Sequence, residues 1–517
     1  MTARRVSLKI NAASQWFALV LELAVGLTLT PLIVRYLGKE GYGTWMLLVS
    51  VFGYYGILTL GIDSAVMRFL ARHLARGERD EATSVLSTAT VGLSVVGVAI
   101  AAAALLFGDA LAGFLEVDPA HRRDFVRLVQ VLSFATLGTF LSSIAAAALK
   151  AREYFVPVNL IMGAASLTRA VATIALLKAG WGLTGVAMGM AAAILLRVAC
   201  MGTVALRRLE GVAISWRHVR WSTMRTLLVF GLGGTLMMVG AKLRFSLDGM
   251  VIAKTLDLAQ VGVFAVAASV LRYVNSMVAV GISVLAPRFT TLDAEGDREG
   301  LVALFLRSIR VASEFSLGVC VVVVTVGGAF ITWWVGAGFE DSVHVLWILV
   351  AGMAPVMLQN PGISLFYATD RHRTYAIINL AEGAANLGLS ILLVRSLGLV
   401  GVALGTSIPL LVNKLLITPW YTTRILGIGQ GRYWTPAVPS LAASLAALAV
   451  SRALWWAPLD GAPALADLVA RSLATVAVYV LANWLAARVL RQGPVEILAI
   501  VASMIRRRRG PGAEVES

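Results

Sequence analysis

Six charged side chains lie deep within long apolar stretches of this sequence. They are the bases Arg169, Arg197, Arg272 and Lys414 and the acids Glu22 and Glu382. A charge at the centre of a membrane helix costs about 2.5–3.5 kcal/mol on insertion scales, so each one needs a partner, a wet cavity or a function. Because bases outnumber acids, the set favours an anionic ligand over a cationic one. Buried structural ion pairs are the alternative.

Polar residues share helix faces with these charges, at spacings of three, four and seven. One face holds Asn159, Ser166 and Arg169, a second holds Asn379, Glu382, Asn386 and Ser390, and a third holds Gln15 and Glu22. We predict as substrate-binding residues Arg169, Arg197, Arg272, Lys414, Asn159, Asn379 and Asn386. We predict charge tuning or ion coupling for Glu22, Glu382 and Asp248. The alternative is that the stripes hold neighbouring helices together. Separately, we expect Arg244 to pair with Asp248 and Arg310 with Glu314, one turn apart on the same helix.

Composition places these residues in a membrane protein. Of 517 residues, 59% are apolar and 14% charged, the net charge is +16 and the mean hydropathy is +0.83. Soluble proteins carry about 25% charge, so this balance excludes a soluble enzyme, a disordered chain and a disulfide-stapled secreted domain. Cys200 and Cys320 lie in apolar stretches, as core residues do.

About 20 apolar residues suffice for one membrane-spanning helix, and the sequence contains fourteen such stretches. They are 12–34, 44–66, 84–107, 125–149, 157–177, 183–206, 226–247, 259–285, 305–335, 343–367, 373–394, 398–420, 436–456 and 466–489. Because Glu22 interrupts the first stretch and no small-x-small site follows it, we expect a span rather than a cleaved signal peptide. The fold class predicted is all-α integral membrane, with two pseudo-symmetric six-helix lobes plus two C-terminal helices.

Loop charge predicts the orientation. With the N-terminus in the cytoplasm, 27 lysines and arginines fall on the cytoplasmic side and 7 on the outside. By the positive-inside rule, both termini are therefore cytoplasmic. The basic surplus reflects topology and attraction to the membrane surface rather than nucleic-acid binding.

The chain repeats itself in order and at nearly one offset. Residues 159–167 match 379–387, and residues 182–189 match 398–405; smaller matches pair Gly43 with Gly262 and Arg68-Phe69 with Arg288-Phe289. The repeat unit is six spans, and six is even, so both halves have the same orientation. We predict an N-lobe at 1–210, a C-lobe at 211–425, two further helices at 426–490 and a basic cytoplasmic tail at 491–517.

Motifs for other chemistries are missing from the sequence. There is no G-x-x-x-x-G-K-[ST] loop, no His/Cys/Glu metal cluster and no Ser-His-Asp set. We therefore expect no ATPase, no catalytic residue, no bound metal and no cofactor.

The stretch from Pro31 to Trp45, continued by Ser50, Tyr54, Gly61 and Arg68, resembles the first outer loop of polysaccharide exporters, and Asp248 to Phe264 resembles the start of that family's second half. The whole chain resembles the polysaccharide transporter and O-antigen flippase family of the multidrug/oligosaccharidyl-lipid/polysaccharide exporter superfamily. The resemblance implies two lobes around a cationic central cavity and a cargo in which sugars hang from polyprenyl pyrophosphate.

These observations together predict a flippase of the bacterial inner membrane that moves a polyprenyl-pyrophosphate-linked oligosaccharide, an O-antigen or exopolysaccharide repeat unit, by alternating access. Expected partners are that lipid-linked oligosaccharide, membrane lipids, a polysaccharide polymerase and glycosyltransferases, with no nucleic acid. One alternative is a multidrug or cation antiporter of the same superfamily. A membrane-embedded glycosyltransferase, polymerase or ligase is a second alternative, which the short outer loops disfavour.

Overall fold

A computed structural model describes residues 8–114, 117, 119–209, 211–283, 286–454, 464–492 and 496. Throughout these ranges the regular structure is helical, because a backbone within lipid must bond to itself. The α-helices are α1 (Leu8–Tyr55), α2 (Ile62–Ala75), α3 (Arg79–Phe114), α4 (Pro119–Ala151), α5 (Phe155–Lys178), α6 (Gly182–Arg208), α7 (Trp221–Thr255), α8 (Leu258–Ser283), α9 (Ala286–Ala294), α10 (Arg298–Val335), α11 (Asp341–Leu358), α12 (Asn360–Ala368), α13 (His372–Val412), α14 (Thr418–Leu426), α15 (Gln430–Trp434), α16 (Val438–Leu454) and α17 (Ala464–Val489).

The helices account for the fourteen predicted spans. Among the described residues, 11 continuous helical segments are long and apolar enough to cross a membrane. Two of these, 13–75 and 373–426, have 63 and 54 residues, enough to cross twice. Helix α7, with 35 residues, is long enough for the remaining predicted span. The predicted all-α membrane fold is confirmed.

Glycines in left-handed backbone reverse the chain between paired spans. Gly38 has φ of 68° within α1, and Gly398 has φ of 57° within α13. Gly182, at the start of α6, has φ of 51°. Because side chains with a Cβ disfavour this region, glycine suits each position. Gly182 and Gly398 are the first residues of the matched motifs 182–189 and 398–405.

The duplicated motifs also pack in the same way in each half. A Cβ added to Gly189 would lie 2.9 Å from the backbone nitrogen of Thr173, and one added to Gly405 would lie 2.6 Å from that of Ser390. Each glycine therefore lets its helix touch the backbone of the preceding span, the close approach that small residues permit in membranes. The sequence motifs that are duplicated therefore also make equivalent packing contacts in the two halves.

The chain forms two compact units, Met1–Ala265 and Val266–Ser517. The first has a core of helices α2, α3, α4 and α6 that includes Leu70, Leu93 and Phe140. In the second, Phe289, Phe305 and Leu365 form one core cluster, and residues of α10, α16 and α17 form another. The lobe boundaries at 210 and 425 and the separate tail remain predictions.

One short segment departs from α-helical geometry. Residues Asn413–Ile417 form a π-helix between α13 and α14. Pro419 follows two residues later, and its ring would clash with the carbonyl of Leu415 in an uninterrupted α-helix. Widening the turn by one residue removes that clash. Such π-bulges occur frequently at functional sites.

Candidate ligand-binding site

In the first unit, helices α1 and α5 bring a carboxylate and a guanidinium together. Arg169 donates a 2.8 Å hydrogen bond to Glu22, and Ser166, one turn earlier on α5, donates to the other carboxylate oxygen. The pair is accessible, since the side chains of Arg169 and Glu22 are 31% and 49% exposed. The serine and the arginine together hold the carboxylate in one orientation.

Arg197 reaches the same cluster from α6. Its side chain is half-buried and interacts electrostatically with both Arg169 and Glu22. It makes no hydrogen bond or ion pair to another residue in the described part of the chain, and Nε of Arg169 likewise has no hydrogen-bond partner there. One carboxylate thus faces two guanidinium charges, of which only Arg169 is paired with it, so the cluster is net positive and Arg197 keeps donors for an anion.

The polar face of α5 continues toward the start of that helix. Asn159 donates a 2.9 Å hydrogen bond to Ser14 of α1. The stripe Asn159, Ser166 and Arg169 therefore lies against α1, as its spacing allows. Gln15, which shares a predicted face with Glu22, is exposed.

In the second unit, the predicted residues form a closed network. The side chains of Lys414 and Glu382 are each 1% exposed and lie 3.7 Å apart. Lys414 donates to Asn379 Oδ1 at 3.2 Å and to the Tyr375 hydroxyl at 3.3 Å, and its ammonium lies 4.9 Å from the Tyr375 ring centroid. The charge of Lys414 is thus matched by groups of its own unit.

Neighbouring amides complete this network. Asn413 donates to Glu382 and accepts a 2.8 Å hydrogen bond from Thr418, and Gln359 donates to the carbonyl of Lys414 within the π-helix. Asn386, one turn beyond Glu382, accepts from Ser390 at 3.0 Å. Buried charges need this degree of partnering to persist in a medium of low dielectric constant.

The remaining predicted residues lie elsewhere. Arg272 on α8 is exposed and donates a 2.6 Å hydrogen bond to Ser269. Asp248 on α7 is buried, and its charge acts on Tyr54. The side chain of Arg244, its predicted partner, lies outside the described residues. The predicted pairing of Arg310 with Glu314 is confirmed, at 3.2 Å.

Sequence reasoning missed several members of these clusters. Tyr375 lies four residues before Asn379 and seven before Glu382, so extending the polar stripe by one turn would have included it. Asn413 adjoins Lys414 in the sequence, so including the polar neighbours of each buried charge would have found it. Ser14 and Gln359 carry no such signal, because their roles depend on which helices pack together. Among the described residues, no group of three histidine, cysteine or acidic side chains could hold a metal ion.

The fold and the site define a multi-pass helical membrane protein, built from a duplicated six-span unit, with a positively charged polar cluster within the apolar zone. The chain belongs to the polysaccharide biosynthesis protein family, whose pattern matches residues 11–293.

Two relatives match most of the chain. The membrane protein EpsK of Bacillus subtilis is 25% identical over 456 residues, covering 86% of this chain and 89% of the relative. A putative O-antigen transporter of Shigella flexneri is 23% identical over 423 residues, covering 81% of this chain and 98% of the relative.

A solved structure shares the fold. The lipid II flippase MurJ, in an inward closed conformation, aligns with a TM-score of 0.75 at 15% identity, covering 93% of this chain and 99% of that one. At this identity the likeness concerns the fold alone.

Proposed function

We propose that this protein is a flippase that moves a polyprenyl-pyrophosphate-linked oligosaccharide from the cytoplasmic to the outer leaflet of a bacterial inner membrane. One observation carries the proposal: beside the Arg169–Glu22 ion pair lies a second arginine, Arg197, with no ion-pair partner of its own in the described part of the chain. Both arginines remain partly exposed within the apolar zone. Membership of the polysaccharide biosynthesis family and a relative named as a putative O-antigen transporter support the same cargo class.

The cluster suits a pyrophosphate better than a cation. Arginine presents a planar fork of donors that matches phosphate oxygens, and such charge-assisted bonds are about twice as strong as neutral ones. Glu22, oriented by a hydrogen bond from Ser166, holds Arg169 in place. Asn159 and the remaining polar face of α5 would meet the sugars, while the polyprenyl chain stays in the bilayer.

We assign anion contact to Arg169 and Arg197 of the first unit. For Arg272 of the second unit, which is exposed, contact with an anion stays a prediction. Lys414, Asn379 and Asn386 are enclosed in the conformation described, with Lys414 matched by Glu382. For these three residues, contact with cargo requires that the network open, and that role stays a prediction.

The membrane potential can drive the outward step. With the inside negative, moving an anion outward is favourable by about 2.3 kcal/mol per charge per 100 mV. The proposal therefore needs no nucleotide hydrolysis. Flipping in vesicles should slow when the potential is collapsed, and an unchanged rate would remove the electrical mechanism.

The first experiment is deletion of the gene followed by extraction of lipid-linked intermediates, scored by leaflet. We expect complete polyprenyl-pyrophosphate oligosaccharide to accumulate on the cytoplasmic face. Complementation with the Arg197→Ala variant should restore little export, whereas Arg395→Ala, which removes an exposed arginine outside the site, should restore it. Normal intermediates together with altered sensitivity to cationic drugs would contradict the proposal and favour an antiporter. An altered length of the sugar chains in the deletion strain would instead favour a membrane-embedded glycosyltransferase, polymerase or ligase.

A further inference from the structure

The connector between α6 and α7 is fastened to α3 by buried hydroxyl groups. Ser87 accepts a 2.9 Å hydrogen bond from the backbone N–H of Ser215 and donates to the carbonyl of Ala213 at 3.4 Å. Thr88 accepts from the backbone N–H of Arg220 at 3.1 Å. Both hydroxyl-bearing residues are buried. The connector is therefore a positioned element rather than a free loop.

Side chains reinforce this attachment at its far end. Arg220 donates a 2.6 Å hydrogen bond to Glu81 on the first turn of α3, and Ser84 bonds Thr223 at 3.0 Å. The backbone from Ala213 to Thr223 thus follows the beginning of α3.

Two tryptophans of this fastened segment point away from the protein. Trp216 is 79% exposed and Trp221 is 76% exposed. A large apolar side chain held outward by a fixed backbone needs another environment to cover it. Because α6 ends at Arg208 and α7 begins at Trp221, the segment lies where two spans leave the membrane. Tryptophan is enriched at that depth, where its ring meets the lipid headgroups.

The same segment is strongly basic. Residues 207–225 contain five arginines and one acid, Glu210. Arg220 is paired with Glu81, whereas Arg207, Arg217 and Arg225 are exposed. Basic clusters next to a membrane attract anionic lipid at about 1 kcal/mol per charge.

We propose that the α6–α7 connector is a binding site for anionic phospholipid headgroups. Trp216 and Trp221 insert at headgroup depth, and Arg207, Arg217 and Arg225 bind the lipid phosphates. The site is separate from the Glu22, Arg169 and Arg197 cluster and does not depend on the cargo. Two observations favour lipid over a protein partner. The exposed arginines complement the charge of anionic headgroups, and the tryptophans lie at the membrane boundary.

The test measures lipid binding to the purified full-length protein in detergent by native mass spectrometry, with phosphatidylglycerol and phosphatidylcholine as probes. For the triple variant Arg207→Gln, Arg217→Gln and Arg225→Gln, we expect phosphatidylglycerol affinity to fall by about fivefold per arginine. Phosphatidylcholine binding should stay unchanged. The double variant Trp216→Ala and Trp221→Ala should weaken binding of both lipids.

Matched controls are Arg395→Gln and Trp181→Ala, which remove an exposed arginine and an exposed tryptophan elsewhere. Both should bind the two lipids as the wild type does. Equal melting temperatures would show that the connector variants are folded. Wild-type phosphatidylglycerol affinity in the triple variant would overturn the proposal. The proposal would also be overturned if Arg395→Gln lost as much phosphatidylglycerol affinity as the triple variant loses per arginine, since binding would then follow net charge alone. Unchanged lipid binding with loss of a co-purifying protein would overturn it in favour of a protein-docking surface.

Discussion

Gly43 and Gly262, which occupy equivalent positions in the two sequence repeats, lie against each other in the first unit. A Cβ added to Gly43 would lie 1.6 Å from the carbonyl oxygen of Leu258 and 3.1 Å from the nitrogen of Gly262. A Cβ added to Gly262 would lie 2.7 Å from the carbonyl oxygen of Lys39. The second half of α1 and the start of α8 therefore touch backbone to backbone, and each repeat supplies one glycine.

Replacing Gly43 by alanine should destabilise this contact. The added methyl group overlaps a backbone oxygen, which cannot rotate away, so the helices must separate. Overpacking of this kind costs about 1–3 kcal/mol. Melting temperature in detergent should fall for Gly43→Ala. Gly202→Ala is the control, because a Cβ at Gly202 meets open space; equal melting temperatures for the two variants would contradict the close contact.

Glu22→Gln should strengthen anion binding at the Arg169 cluster. The change removes the carboxylate that partly neutralises Arg169 and Arg197 while keeping the shape of the side chain. We expect inorganic pyrophosphate to bind about tenfold more tightly, from 1–2 kcal/mol of Coulomb attraction after screening. Calorimetric titration measures the change, with the exposed Glu299→Gln as control. Weaker binding in Glu22→Gln would show that the carboxylate organises the arginines more than it neutralises them.

The loop between α2 and α3 carries a pH-dependent contact. His73 hydrogen-bonds to Glu78 at 2.5 Å, and this bond, with the nearby Arg76, lowers the pKa of Glu78 below its ordinary value of 4.5. A carboxyl group whose pKa is lowered in the folded state stabilises the fold. This stabilisation is fully present above pH 4.5 and is lost as the pH falls through the lowered pKa. The melting-temperature difference between wild type and Glu78→Gln should therefore shrink below pH 4.5. A difference independent of pH would contradict this assignment.

The sequence predicted the helices and the α5 polar stripe well, for simple physical reasons. The length of each apolar stretch predicts a membrane-spanning helix, and the spacing from Asn159 to Arg169 places three polar groups on one helix face. The sequence could not show that Glu22 would be their partner, because this depends on α1 packing against α5. The matched glycines of the repeats, such as Gly189 and Gly405, predicted the duplication, and the structure shows that they perform the same packing.

Lys414 shows where sequence reasoning reaches its limit. Its depth in an apolar stretch indicated a charge needing a partner, and both a lined cavity and a buried ion pair satisfied that requirement. Hydropathy indicates how deep in the membrane the Lys414 side chain lies, but not which neighbouring helix it faces. Lys414 lies in the π-helix Asn413–Ile417, and no spacing rule applied to the α-helical stripe of α13 accounts for its extra residue. The enclosure of Lys414 beside Glu382 depends on which helices pack around it, and the sequence does not show that.

Removing either partner of the Lys414–Glu382 pair should destabilise the second unit strongly. Breaking a buried pair leaves one uncompensated charge and costs about 3–5 kcal/mol, whereas replacing both partners by apolar residues is often close to neutral. Lys414→Met and Glu382→Leu should each lower the melting temperature, and the double variant should recover most of the loss. The control pair, Arg122 and Asp109, is exposed at 3.5 Å and should show no measurable coupling. Additive losses in the Lys414–Glu382 cycle would contradict the pairing. If the double variant is stable yet exports no oligosaccharide, the network acts in transport beyond holding the fold together.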